Sequence, residues 1–96
     1  MNLQANHYLI TGRVQRVYFR QSTLTEAEQL GLTGWVRNLP DGRVESMAYG
    51  SSAALEQFDA WLRVGPKMAS VDQVEQRAVD ADDAPVSFTL HPTPTD

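Results

Sequence analysis

The stretch GRVQRVYFR, Gly12 to Arg20, sets three arginines and a glutamine among bulky apolar residues in a chain whose formal net charge is −4. It follows HYLIT (His7 to Thr11), a β-rich apolar run that meets a glycine, so His7–Thr11 is predicted as a first strand and GRVQRVYFR as the loop leaving it. From Arg20 to Leu30, Leu24, Ala27 and Leu30 recur at helical spacing, Glu26 and Glu28 take other faces, and Gly31 is placed to stop the helix.

Outward from this joint, LTGWVRNL (Leu32 to Leu39) is strand-like, PDG (Pro40 to Gly42) is turn chemistry, and RVESMAY (Arg43 to Tyr49) resumes the β pattern, which makes a hairpin. After Gly50, Ser51 and Ser52 are placed to cap a helix whose apolar stripe is Ala54, Leu55, Phe58, Trp61 and Leu62, stopped by Gly65 and Pro66. SVDQVEQRAV (Ser70 to Val79) and VSFTLH (Val86 to His91) supply the last one or two strands. The acidic DADDAP (Asp80 to Pro85) reads as a loop and HPTPTD as a frayed end.

The order βαββαβ, with room for a short edge strand, predicts an α+β fold: a two-layer sandwich of an antiparallel sheet with both helices on one face. A right-handed crossover through the first helix makes strands one and two parallel, with strand three between them. Their C-terminal ends then share one edge of the sheet. The loop ending at Arg20 and the strand ending near Asn38 are expected to meet there.

Length and composition bound the function. The 96 residues are read as a single domain, residues 1–96, and 42% hydrophobic with 21% charged residues suits an ordinary globular core. The absence of cysteine excludes disulfides, thiolate metal sites and a cysteine nucleophile, and it favours the cytoplasm. MNLQANHYLI has no basic leader or cleavage pattern, and no run approaches the roughly 20 apolar residues of a membrane span. A pI near 5.0 argues against broad binding to nucleic-acid phosphates or anionic membranes, yet leaves room for a small, local anion site.

Arg20 supplies such a site. It stands at or just before a helix start, where unpaired N–H groups and the dipole favour an anion. A guanidinium fork holds two oxygens at once, and curved backbone from Gln15 to Phe19 aims further N–H groups at the same ligand. A solvated or salt-bridged surface arginine is the plain alternative.

GRVQRVYFR, followed at helical distance by AEQLGLTGWVRNLPDGRVE, resembles the acylphosphatase family, whose loop reads Gly-x-Val-Gln-Gly-Val-x-Phe-Arg. The likeness is strong from Tyr8 to Gly50, looser through WLRVGPKMASVDQVE, and includes the terminal FTL. It implies a ferredoxin-like fold and hydrolysis of acyl phosphates. By motif position it makes Arg20 the phosphate-binding arginine and Asn38 the residue orienting the attacking water. The resemblance also implies that Gln15, Arg16, Val17, Tyr18 and Phe19 form the phosphate-binding loop. The resemblance further implies a small-molecule acyl phosphate as partner, a site suited to phosphate or sulfate and a monomer; no cofactor and no metal are expected.

Arg16 departs from the motif at its central glycine. A side chain there costs up to about 1 kcal/mol if the backbone needs positive φ. The reading adopted has that side chain point outward and add peripheral positive charge.

Other chemistry has less support. His7 and His91 lack the partner spacing of a metal site or relay, Asp80, Asp82 and Asp83 lack the ligand plan of a Ca²⁺ loop, and Trp35, Phe58 and Trp61 fit packing roles. RNA recognition is disfavoured, because RVYFR lacks the required glycine and lies in a loop. A non-catalytic module that holds a phosphorylated metabolite is the main alternative. The accessory acylphosphatase-like domain of a larger carbamoyl-transfer protein ranks lower, since no further domain follows in the sequence.

Overall fold

The computed structural model describes residues 3–95. Seven elements alternate along it: β1 (Gln4–Arg13), α1 (Phe19–Gln29), β2 (Thr33–Asn38), β3 (Val44–Gly50), α2 (Ser52–Leu62), β4 (Ser70–Val79) and β5 (Phe88–Leu90). The sheet order is β4-β1-β3-β2-β5. β1 and β2 each pair antiparallel with β3, so they run parallel to each other with β3 between, as the crossover argument requires.

One feature of the sheet differs from the expectation. It is mixed rather than wholly antiparallel, because β5 lies parallel to β2, with Gly34 opposite Phe88 and Val36 opposite Leu90. The loop after β4 brings the chain back along the far edge of β2 in the same direction, and only three residues of FTL pair there. β1 also extends beyond His7–Thr11 at both ends, since β3 and β4 satisfy its backbone on both sides.

Strand alternation sends Tyr8 and Ile10 of β1, Val36 of β2, and Val44 and Ala48 of β3 into one core with Phe19 and Ala27 of α1 and Leu55, Phe58 and Leu62 of α2. Both helices therefore cover the same face. Phe58 is the hub, meeting Tyr8 edge-on at 5.5 Å and Phe88 at 6.1 Å between ring centroids. Helix ends follow local chemistry. Ser51 caps α2 by accepting the Ala54 N–H at 3.2 Å. α1 closes in a Schellman turn, with Gly31 at φ 73, the Gly31 N–H on Glu28 O and the Leu32 N–H on Ala27 O.

The opposite sheet face is polar. Glu45 takes Arg37 Nε and His7 Nε2, each at 2.7 Å, while the Arg37 guanidinium lies over Trp35 and the Trp35 ring stacks on His91. Burial alone would raise the Glu45 pKa, but hydrogen bonds from His7 and Arg37 outweigh it and hold the carboxyl below its ordinary range. Among the described residues, no helix is long and apolar enough to cross a membrane.

Candidate active site

The parallel relation of β1, β2 and β5 puts three strand C-termini at one end of the sheet, and a cavity of about 420 Å³ opens there. Arg16, Arg20 and Asn38 line it together with Gln21, Val14, Tyr18, Phe19 and Leu90. Arg20 and Asn38, 18 positions apart by their numbers, thus share one wall-to-wall space. The topology accounts for this: α1 starts just after β1 ends, and Asn38 is the last residue of β2.

The start of α1 is built as an open donor end. The helix begins at Phe19, one residue ahead of the expected start, so Arg20 is its second residue. Tyr18 holds the cap position in the left-handed conformation (φ 60, ψ 24), provides no side-chain cap, and no acidic residue occupies the first turn. The first intrahelical bond runs from the Ser22 N–H to Tyr18 O. The N–H groups before Ser22 therefore lack helical acceptors, and the positive end of the dipole faces the cavity mouth without a resident carboxylate.

Two left-handed residues shape the preceding loop. Arg16 has φ 63 and Tyr18 φ 60, with Val17 between them outside the positive-φ region. An anion nest requires left-handed residues beside right-handed ones, and the signs of φ at Arg16, Val17 and Tyr18 meet that requirement. Arg16 thus adopts the backbone a glycine would favour, at a cost of about 1 kcal/mol. Arg16 is exposed and lines the cavity. Among the described residues, neither Arg16 nor Arg20 has a carboxylate within 4.0 Å, whereas Arg37, Arg43 and Arg63 are all paired.

The other loop residues divide. Phe19 is 2% exposed and belongs to the core while touching the cavity. The Val17 side chain is buried and does not line the cavity. Gln15 does not line it either: its side-chain amide donates to Leu39 O at 2.8 Å and to Arg43 O at 2.9 Å, tying the loop to the β2–β3 turn. That turn is closed by Leu39 N–H to Arg43 O and by Asp41, which accepts the Arg43 backbone N–H and Nε. The backbone hydrogen bond from Arg43 is the main reason the Asp41 carboxyl sits below its usual pKa.

Asn38 stands against this braced turn. Its Oδ1 is buried and has no hydrogen-bond partner among the described residues, the only side-chain oxygen or nitrogen of which that is true there. A buried acceptor left unpaired by the protein costs about 1–3 kcal/mol, and this one belongs to a residue that lines the cavity. The cavity lining holds cations and amides but neither histidine nor carboxylate.

Sequence reasoning did not find Val14, Gln21 or Leu90. Leu90 enters through the parallel pairing of β5 beside β2, a long-range contact that FTL alone does not announce. It also gave no sign that Tyr18 is left-handed, since only glycines advertise that conformation.

Comparison with known proteins agrees with this architecture. The acylphosphatase family model matches residues 6–90. A relative named acylphosphatase from Marinobacter nauticus is 48% identical over 81 residues, covering 84% of this chain and 88% of its own. Among solved structures, an acylphosphatase from Coxiella burnetii superposes with a TM-score of 0.90 at 37% identity, covering 94% of each chain. The acylphosphatase of Bacillus subtilis gives a TM-score of 0.89 at 31% identity, covering 94% of this chain and 99% of its own.

Proposed function

The chain belongs to the acylphosphatase family and is an enzyme of that family, and from this premise we propose that it hydrolyses acyl phosphates by in-line attack of water on phosphorus. The observation that carries the reading is the meeting of Arg20 and Asn38 in one cavity at an uncapped helix start.

The phosphate sits against the Arg20 fork and the N–H groups of the loop from Gln15 to Phe19. Arg16 adds charge at the rim. Charge spread over the equatorial phosphoryl oxygens in a loose transition state is what these fixed donors stabilise. Asn38 accepts one hydrogen of the attacking water and holds it in line with the phosphorus; an amide of this kind is a positioning group and not a base.

The step balances without an enzymatic acid. A bond forms from the water oxygen to phosphorus, and the bond from phosphorus to the acyl oxygen breaks with its electron pair left on the carboxylate. Carboxylic acids have pKa values of about 4 to 5, so this group departs unprotonated near neutrality. The water proton ends on the phosphate or in solvent. Each residue named comes from one copy of the chain, so a monomer suffices.

Hydrolysis of acetyl phosphate with a chelator present tests the reading. Turnover above the buffer blank supports it. Binding of phosphate without turnover would favour the module that only holds a phosphorylated metabolite.

A further inference from the structure

The cavity, about 420 Å³ and open to solvent on one side, is walled by more than its phosphate chemistry requires. The donors come from Arg16, Arg20 and Asn38, yet half of the eight lining residues, Val14, Tyr18, Phe19 and Leu90, are apolar or aromatic. Val14 and Phe19 are 1% and 2% exposed and belong to the core. Tyr18 and Leu90 differ: they are 77% and 41% exposed, and they stand in water beside a site for a charged ligand.

Packing explains neither residue. Tyr18 is largely exposed on a left-handed backbone, and Leu90 ends a three-residue edge strand. In an acyl phosphate the acyl carbon is joined to phosphorus through a single oxygen, so the acyl group must enter the same cavity as the phosphate. Every such substrate presents the same phosphate end, so discrimination has to arise where the acyl group touches protein.

We infer that Tyr18 and Leu90 form an acyl-group subsite that selects acyl phosphates with aromatic or extended apolar acyl groups over short ones. This rests on the hydrolytic reading above. An apolar acyl group gains by covering both side chains, and an aromatic one gains further against the Tyr18 ring. The contact is equally present in ground and transition states, so it lowers KM and leaves kcat largely alone.

The test is steady-state hydrolysis of benzoyl phosphate and acetyl phosphate by the wild type, Leu90→Ser, Leu90→Met and Tyr18→Asn, with asparagine chosen because it tolerates positive φ. The wild-type KM for benzoyl phosphate is expected to be about tenfold lower than for acetyl phosphate. Leu90→Ser and Tyr18→Asn each narrow that ratio about threefold or more, while Leu90→Met preserves it. Both substrates are assayed on one sample, so any unfolded fraction cancels. Equal KM values in the wild type, or a ratio unmoved by both polar variants, overturns the subsite and leaves the phosphatase reading standing. Failure to hydrolyse either substrate overturns both.

Discussion

The side-chain amide of Gln15 donates to the main-chain oxygen of Leu39 across 24 positions of sequence, at 2.8 Å. Its second hydrogen goes to Arg43 O at 2.9 Å. One amide thus fastens the loop before Arg20 to the turn directly after Asn38. The two halves of the site are held in register by a side chain that does not line the cavity.

Replacing Gln15 by leucine removes both side-chain hydrogen bonds, leaving Leu39 O with only the Gly42 N–H and Arg43 O with only the Leu39 N–H. We expect a loss of about 1–3 kcal/mol in stability and a fall of about tenfold in kcat as the aim of Asn38 loosens. Urea unfolding alongside kinetics checks it. A stability loss with kcat intact would restrict Gln15 to a structural role.

Arg16→Gly relieves a left-handed non-glycine residue at φ 63. Stability should rise by up to about 1 kcal/mol, with turnover kept or raised. Loss of the rim charge should also flatten the decline of kcat/KM with ionic strength, because exposed charges act over a screening length of about 8–10 Å. A collapse in turnover would mean that Arg16 had become essential.

Glu45 makes acid stability a reporter of the outer sheet face. Its folded-state pKa lies below the ordinary carboxylate value because hydrogen bonds from His7 and Arg37 overcome the opposing effect of burial. The native state then binds fewer protons than the unfolded chain in that interval. Its contribution is present above the unfolded value, about 4.3, and is lost as pH falls through the folded one. Glu45→Gln should therefore be less stable at pH 6 and show a shallower fall in urea midpoint between pH 6 and 3. Parallel pH profiles for the two proteins would contradict the ion-pair account.

Much of this was legible in the sequence because its signals are local. Ser51 capping α2, Gly31 ending α1 and the limits of β4 each depend on a few neighbouring residues. The placement of Arg20 and Asn38 at one sheet edge needed only the handedness of the crossover. What escaped depends on distant partners. Gln15 reads as a loop residue facing a ligand until the β2–β3 turn is folded beneath it. The parallel setting of β5, and with it Leu90 beside Asn38, follows from where the chain returns after β4. Gly12 was legible only as a loop start. At φ 135, where the register against β4 shifts, a Cβ there would lie 2.3 Å from Ser70 O, so close strand approach excludes any side chain.

The central claim is a division of labour between the two cavity residues, and one kinetic comparison reaches it directly: benzoyl phosphate hydrolysis by the wild type, Arg20→Ala and Asn38→Ala, with inorganic phosphate as competitive inhibitor and a chelator present. Asn38→Ala should lose kcat by about 100-fold with phosphate inhibition nearly unchanged. Arg20→Ala should lose kcat/KM by on the order of 10³-fold and phosphate inhibition with it. Wild-type-like turnover in Asn38→Ala, or undiminished phosphate inhibition in Arg20→Ala, would contradict the account.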